Sequence, residues 1–291
     1  MIRIGEFAIS RVEEIVLDEP TSLFEHWNKD CLRQRPWMAP HYYDGGRDVF
    51  FSTIQTWVLR MPGKTILIDT SGGNDKDRPL SPRFHKLATE FPKKLQALGI
   101  EPNEVDLVIL THLHVDHVGW NTRLEGDRWV PMFPNAEYVV SATELEVRDP
   151  KRGAAARPSG SWNTYNDSVV PILEAGLARV VEGNETLLPG IELTPIPGHA
   201  PGQMGVLARS GGQEAFFIAD VMHNPIQIYH PEWNSKFCED QDLARRTRAK
   251  VLSHAADNGS LILPGHFGHP YCGYVRRAQN GYVFEPSPVA P

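Results

Sequence analysis

The spacing of apolar residues predicts a chain built mainly from short β-strands. Residues 50–60 and 65–69 are rich in β-branched and aromatic side chains, and the Met-Pro-Gly-Lys segment between them predicts a β-hairpin. Loose alternation over 3–16 predicts a further strand. Other short apolar runs predict buried strands over 106–110, 136–140, 191–196, 204–208, 215–218 and 260–263.

Two segments carry helix signals. Ser81-Pro82 provides a helix start and Gly99 a helix stop, so a helix is predicted over 81–99. A second helix is predicted over 240–256. The pattern therefore predicts few helices among many strands.

No shift in composition divides the chain, so a single domain over 1–291 is expected. Two stretches, 20–50 and 150–175, are predicted to be insertions that act as lids or oligomer contacts, because long loops in compact domains often bind ligands. A homodimer is one of the arrangements that these stretches leave open. The proline-rich tail 285–291 is expected to be disordered.

The composition is that of a globular protein, with 41% hydrophobic and 22% charged residues. A formal charge of −7 argues against a polyanion-binding surface, so no nucleic-acid partner is expected. The three cysteines are widely spaced and odd in number, which favours reduced thiols. The N-terminal residues lack a signal-peptide core, and no apolar stretch approaches the roughly 20 residues that span a bilayer. A cytoplasmic protein without membrane contact is expected.

The segment THLHVDHVG, residues 111–119, holds three histidines and an aspartate within six positions. In an extended backbone, His112 and His114 point to the same side and can face one metal ion. Asp116 and His117 follow where the chain leaves the predicted strand, and they can face a second ion. Burying this many polar groups is costly unless they are hydrogen-bonded or coordinated, so the segment indicates a metal site.

Three later segments each place a ligand-type side chain at the end of a predicted strand. These are His199 in PIPGHAPG, Asp220 in FFIAD and His266 in LILPGHFG. A histidine in a turn or an aspartate at a strand end is common by itself. Their shared position, where a rigid strand meets a loop, favours a common site.

These motifs resemble those of the metallo-β-lactamase-fold hydrolase superfamily. HLHVDH matches its H-x-H-x-D-H signature, and PGHAPGQ, IADVMH and LPGHFG are similar to its three later motifs. Asp69 in LIDTSGG resembles the aspartate that ends the strand before the metal motif. The resemblance covers about 53–271. It implies the α+β class, as a four-layer αβ/βα sandwich of two mostly antiparallel sheets flanked by helices.

The resemblance also implies a dinuclear centre of seven nitrogen and oxygen ligands. It assigns His112, His114 and His199 to the first ion, assigns Asp116, His117 and His266 to the second, and makes Asp220 the bridge. This ligand set suits two divalent ions, with Zn²⁺ the best fit and Mn, Fe or Co acceptable. Asp69 would orient a ligand imidazole through its distal N–H.

Two such ions can share a water and lower its pKa, so the bridging hydroxide would attack an electrophilic centre. Asp116 would also hold that hydroxide or take its proton. The expected enzyme is a hydrolase of a small, fairly apolar ester, lactone or organophosphate ester. The long interval between His117 and His199, together with ADVMH, is similar to the methyl parathion hydrolase branch and its lactonase and esterase relatives.

His223 departs from the pattern of the small lactonases, which carry tyrosine three residues after the bridging aspartate. It is a candidate catalytic residue that would hydrogen-bond a substrate oxygen or the leaving group, and a supporting or surface role is the alternative. Three other functions stay open for the chain. They are a phosphodiesterase or nuclease of the same fold, a mononuclear iron dioxygenase, and a metal-dependent binding protein without turnover.

Overall fold

A computed structural model of the chain describes residues 1–152 and 160–287. In chain order, the strands are β1 (Ile2–Ile4), β2 (Phe7–Pro20), β3 (Tyr43–Asp44), β4 (Val49–Met61), β5 (Lys64–Ile68), β6 (Leu107–Ile109), β7 (Thr122–Glu125), β8 (Arg128–Pro131), β9 (Glu137–Ser141), β10 (Ala178–Val181), β11 (Glu185–Leu188), β12 (Ile191–Pro195), β13 (Met204–Ser210), β14 (Gln213–Ala219), β15 (Leu261–Pro264), β16 (Gly273–Ala278) and β17 (Gly281–Pro286). The α-helices are α1 (Phe91–Ala97), α2 (Ala142–Arg148), α3 (Gly160–Ser168), α4 (Val170–Glu174), α5 (Ile226–Tyr229) and α6 (Gln241–Asn258).

The predicted strands are confirmed, with small shifts at their ends. The hairpin forms as β4 and β5, which pair antiparallel with Met61 opposite Lys64. The alternating segment 3–16 is divided between β1 and β2, because the chain turns at Gly5 and Glu6.

The helix predicted over 81–99 is wrong in its first half. Pro82–Phe84 form only a short 3-10 turn, and α1 begins at Phe91. Between them Lys86 has a φ of 51°, in the left-handed region, which a continuing right-handed helix excludes. The predicted end of the helix is confirmed: α1 ends at Ala97, and Gly99 follows in the left-handed conformation with a φ of 69°.

The helix predicted over 240–256 is confirmed as α6. The Asp240 carboxylate accepts a hydrogen bond from Leu243 N at 2.8 Å and caps the first turn. Gly259, with a φ of 64°, ends the helix in the left-handed conformation that glycine tolerates best. The chain enters β15 two residues later.

The described chain forms two compact units, each built from separated segments. We call the first the motif unit, because it contains THLHVDHVG; it comprises Glu6–Ile15 and Ile54–Glu185. The second, here the C-terminal unit, comprises Met1–Gly5, Val16–Thr53 and the residues from Thr186 onward.

In the motif unit, the strands pair in the order β2-β4-β5-β6-β9-β10. The β5–β6, β6–β9 and β9–β10 pairs are parallel, so this sheet is mixed rather than mostly antiparallel as expected. The connections between these strands are long enough, and in part helical, for the chain to return to the same edge. Ile68 therefore lies beside Ile109, and the residues that follow β5 and β6 emerge at one edge of the sheet.

In the C-terminal unit, seven strands pair in the order β11-β12-β13-β14-β15-β16-β17. Most of the pairs are antiparallel, as expected, but β14 and β15 are parallel and place Ala219 beside Pro264. Helix α6 returns the chain between these two strands and buries Val251, Leu252 and Ala255 in the core. As a result, the segments that carry Asp220 and His266 leave neighbouring strand ends.

Residues 21–44 add short 3-10 turns and a dense aromatic cluster to the C-terminal unit. The Trp27 ring lies 4.6 Å from that of Phe50 and 5.2 Å from that of Tyr43. The roles predicted for 20–50 and 150–175 stay predictions. The prediction of a disordered tail over 285–291 is wrong for its first residues, because Glu285 and Pro286 belong to β17 and pair with Tyr274 and Gly273. Residues 153–159 and 288–291 lie outside the described part of the chain. Among the described helices, none combines the length and the apolar character that crossing a membrane requires.

Candidate metal centre

The histidine motif follows β6 and forms a compact cluster in the motif unit. His112 and His117 are buried, and their ring centroids lie 4.1 Å apart. His112 Nε2 lies 3.1 Å from His114 Nδ1. Two ligands of a tetrahedral zinc, each at about 2.0–2.1 Å from the metal, are roughly 3.3 Å apart. This distance fits two ligands of one ion, and it equally fits a hydrogen bond from His114 Nδ1 to His112 Nε2.

Asp69, directly after β5, fixes the orientation of this cluster. Its Oδ1 accepts from Thr111 N, and its Oδ2 accepts from the Thr111 hydroxyl and from His117 Nδ1, each at 2.8 Å. Because a carboxylate only accepts, His117 carries its proton on Nδ1 and its lone pair on Nε2. The Thr111 hydroxyl donates to Asp69 and accepts from His112 Nδ1 at 3.0 Å, which likewise leaves the His112 lone pair on Nε2.

Gly119, the last residue of the motif, allows two backbone segments to pack closely. A Cβ built on Gly119 would lie 1.8 Å from the carbonyl oxygen of Gly72. Only glycine permits this approach, which brings the end of the motif against the loop that follows Asp69. Gly119 N donates to Ser71 O at 2.7 Å and secures the contact.

Replacing Asp69 by asparagine is expected to lower zinc affinity by about 10- to 100-fold. Thr111 N and His117 Nδ1 donate to different carboxylate oxygens, and asparagine has only one oxygen, so one of the two donors would face the amide NH2 group and His117 would be held less firmly in its tautomer. Competition with a fluorescent chelator measures the zinc dissociation constant. Asp106→Asn, a more exposed site in the same unit, serves as the matched control with unchanged affinity. Equal affinity in Asp69→Asn and the wild type would refute the orienting role.

A buried acid–base pair supports the motif from α2 and was missed by the sequence reasoning. Glu144 Oε2 accepts from Leu113 N at 3.0 Å and from Arg148 Nε at 3.2 Å. Arg148 Nη2 lies 2.9 Å from His114 Nε2. The available signal was the i,i+4 spacing of the two residues, which indicates a pair on a helix but does not indicate burial.

The C-terminal unit contains a second cluster, centred on Asp220. Three imidazole Nε2 atoms surround its Oδ2: His266 at 2.9 Å, His199 at 3.3 Å and His223 at 3.3 Å. All four side chains are at most 4% exposed. His199, Asp220 and His223 together offer ligand atoms that lie within 4.8 Å of one another.

The tautomer of His266 provides a test of whether this cluster fits a metal. His266 Nδ1 donates to the carbonyl oxygen of Thr53 at 3.0 Å, so the lone pair is on Nε2 and faces Asp220 Oδ2. A lone pair and a carboxylate oxygen 2.9 Å apart repel unless a proton or metal cation lies between them. The donor set therefore fits a divalent cation.

His223 lies within this cluster and is buried, so the surface alternative is excluded, and its catalytic role stays a proposal. Burial lowers the pKa of His223 from its ordinary value, against the opposing effect of Asp220. Its Nδ1 has no hydrogen-bond partner among the described residues. The ring is stacked at 5.5 Å on His266 and lies 5.7 Å from Phe237.

Within each unit, the structure brings the predicted residues together. In the motif unit, Asp116 Oδ2 lies 3.7 Å from His117 Nε2, beside His112 and His114. The family model for the metallo-beta-lactamase superfamily matches residues 50–266, which include every proposed ligand. The chain belongs to the metallo-β-lactamase superfamily.

Similar proteins of this superfamily include characterised lactonases. N-acyl homoserine lactonase AiiB of Agrobacterium fabrum is 23% identical over 249 residues, which cover 79% of this chain and 84% of AiiB. The structure of hydrolase AbOPH in the beta lactamase superfamily has a TM-score of 0.84 at 23% identity and covers 100% of this chain and 97% of that one. The dizinc quorum-quenching lactonase AidC has a TM-score of 0.80 at 22% identity, with the same coverage.

These comparisons confirm the predicted family, the metallo-β-lactamase fold and the enzyme class of metal-dependent hydrolase. Divalent metal binding follows from the family together with the two donor clusters. The scissile bond, the number of ions and the role of each residue are matters of proposal.

Proposed function

We propose that the protein hydrolyses small, fairly apolar lactones and related esters, including organophosphate esters, with two divalent ions as cofactors. The observation that carries this proposal is the convergence of three imidazole nitrogens on one buried Asp220 oxygen, an arrangement that a divalent cation would stabilise. The lactone bond is favoured because AiiB, which aligns with most of the chain, is an N-acyl homoserine lactonase. Zinc is favoured by the imidazole and carboxylate ligands.

The proposed ligands keep the assignment made from the sequence. His112, His114 and His199 would hold one ion, Asp116, His117 and His266 would hold the other, and Asp220 would serve both. The lone pairs on Nε2 of His112, His117 and His266 support this assignment, because each ring holds its proton on the opposite nitrogen. A neutral imidazole binds metal through the nitrogen that carries the lone pair.

Two side chains near the ions have separate roles in the proposed reaction, one in proton transfer and one in substrate binding. When bound, two divalent ions acidify a shared water and polarise the oxygen of the scissile bond. Asp116, with 19% of its side chain exposed, takes a proton from the attacking water and returns it to the departing alkoxide. His223, held neutral by burial, retains one ring N–H, which donates a hydrogen bond to a substrate oxygen.

A substrate panel tests the proposal. Protein purified without added metal is stripped with a chelator, reloaded with zinc, manganese or cobalt, and assayed on N-acyl homoserine lactones, p-nitrophenyl esters and aryl phosphotriesters. We expect lactone hydrolysis to disappear on stripping, to return on reloading, and to coincide with about two bound ions per chain.

The panel also separates the other functions. Unchanged turnover after stripping, or fewer than about one bound ion per active chain, would refute the metal mechanism. Cleavage of phosphodiesters without lactones would favour a nuclease. Oxygen consumption by an iron-only protein would indicate a dioxygenase, and no turnover in any loaded form would favour a binding protein.

A further inference from the structure

The loop 230–240 of the C-terminal unit presents an exposed aromatic side chain beside the buried Asp220 cluster. Phe237 is 39% exposed, and its ring lies 5.7 Å from that of His223, tilted by 47°. His223 Nε2 in turn lies 3.3 Å from Asp220 Oδ2. An exposed phenylalanine is unremarkable by itself. Phe237, however, lies next to His223, which is proposed to donate a hydrogen bond to the substrate.

The same loop is held in place by a buried arginine from α6. Arg248 is fully buried and donates to Pro231 O at 2.7 Å, to Asn234 Oδ1 at 3.0 Å and to Val221 O at 2.9 Å. All three acceptors are neutral carbonyl oxygens, so the guanidinium connects backbone segments rather than neutralising a carboxylate. One side chain therefore fixes the loop of Phe237 and the residue that follows Asp220.

Gln227 adds a second connection between the same segments. Its side chain is buried, its Oε1 accepts from His223 N at 2.7 Å, and its Nε2 donates to Trp233 O at 2.9 Å. Farther along, Cys238 N donates to Ser235 O at 3.2 Å. The loop is thus hydrogen-bonded on both sides of Phe237. A large apolar side chain held rigidly in this way loses little entropy when it binds a ligand.

We propose that Phe237 is a specificity-determining residue that contacts the apolar chain of the substrate, and that Arg248 is the positioning residue that holds it there. This inference rests on the proposed function, since the substrate must have its reacting bond near His223. A substrate with an acyl chain would place that chain over the Phe237 ring, while a short substrate would not reach it. The preference for long acyl chains therefore depends on this loop.

The test compares Phe237→Ala and Phe237→Leu with the wild-type holoenzyme on N-acyl homoserine lactones of short and long acyl chain. Phe237→Ala is expected to raise KM for long-chain lactones by about tenfold, with kcat and the short-chain KM unchanged, because only apolar contact is lost. Phe237→Leu is expected to restore most of the affinity. Calorimetric binding of the ring-opened long-chain product should weaken in parallel. Leu124→Ala, 41% exposed in the motif unit, is the matched control.

Arg248→Lys keeps the charge but cannot donate to three acceptors in one plane. It is expected to raise the long-chain KM, and the Phe237→Ala/Arg248→Lys double variant should show less than the sum of the two single effects, because both act through one contact. Additive effects would refute the positioning role. Should Arg248→Lys fail to fold, Arg248→Gln with urea-monitored stability gives the same comparison, and the Phe237 variants decide the contact alone.

The outcomes distinguish this inference from the proposed function. If the wild type cleaves none of the lactones or esters, the proposed function fails first. If the wild type cleaves them and Phe237→Ala changes long- and short-chain KM equally, or changes neither, the specificity role is wrong while the hydrolase proposal stands.

Discussion

Asp220→Ala is expected to remove bound metal and lactone hydrolysis together. The Asp220 Oδ2 atom faces three imidazole nitrogens at 2.9–3.3 Å, so the substitution removes the negative charge that would attract a cation to these nitrogens. We expect metal affinity to fall by more than about 100-fold, which is the upper range for residues that only orient ligands. Atomic emission after dialysis measures metal content, and kcat/KM on a lactone measures activity.

Asp240→Ala is the matched control for this loss. Asp240 belongs to the same unit and caps α6, so loss of its side chain costs about 1 kcal/mol of stability and keeps the backbone hydrogen bond from Asp240 N to Gly198 O, next to His199. Metal content should stay at the wild-type level in that variant. Full metal occupancy with normal turnover in Asp220→Ala would contradict the assignment of Asp220 as a ligand.

Asp167→Asn is expected to cost about 3–5 kcal/mol in the free energy of unfolding. In the motif unit, Asp167 accepts two hydrogen bonds from Arg78, at 2.6 and 2.7 Å, and lies 3.5 Å from Lys76 Nζ. All three side chains are at most 9% exposed, so the neutral amide would leave the buried Arg78 guanidinium, and Lys76 wherever it is protonated, without their shared carboxylate. Urea denaturation followed by fluorescence measures the change.

Lys76→Met provides the informative contrast to Asp167→Asn. Burial lowers the pKa of Lys76 to about 7, although Asp167 opposes the shift. Because Thr122 Oγ1 still donates to Asp167 O at 2.5 Å, methionine leaves that carbonyl satisfied, and stability should change by less than about 1 kcal/mol. An equal loss in both variants would show that packing, rather than charge, sets the cost.

The difference in the free energy of unfolding between the wild type and Lys76→Met is expected to depend on pH. A lysine whose pKa is about 7 in the folded state and 10.5 when unfolded binds fewer protons in the folded state between these values. Its contribution therefore makes stability rise with pH through this interval. Lys76→Met should remove that part of the rise.

The clustering of the proposed ligands within each unit could be predicted from the sequence, because its signal is local, and their binding of metal stays a proposal. HLHVDH concentrates ligands within six positions, and His199, Asp220 and His266 each follow a recognisable apolar strand. The strands themselves were predicted because period-two and apolar runs report burial directly. These features depend on neighbours along the chain.

Other features depend on contacts between distant residues, and local patterns do not report them. Lys86 interrupts the helix predicted over 81–99 through a left-handed φ that its residue type does not suggest. Glu144 and Arg248 are both fully buried, and Arg248 donates to three carbonyl oxygens. The sequence does not show that these charged residues are buried, so their roles could not be predicted. The parallel pairing of β5, β6, β9 and β10 likewise depends on how the connections return, which the strand pattern leaves open.

The composition of the C-terminal unit from separated segments has a consequence for biosynthesis. Residues 16–53 are translated before the residues beyond Thr186 that complete their hydrophobic core. Phe24 and Phe50, whose rings lie 5.3 Å apart, can contact each other early, but the rest of their core is made only with the later strands. A nascent chain that ends before Thr186 would expose part of this apolar surface. We expect such a chain to aggregate more readily than the full-length protein, and a chaperone that binds its aromatic segments would reduce that aggregation.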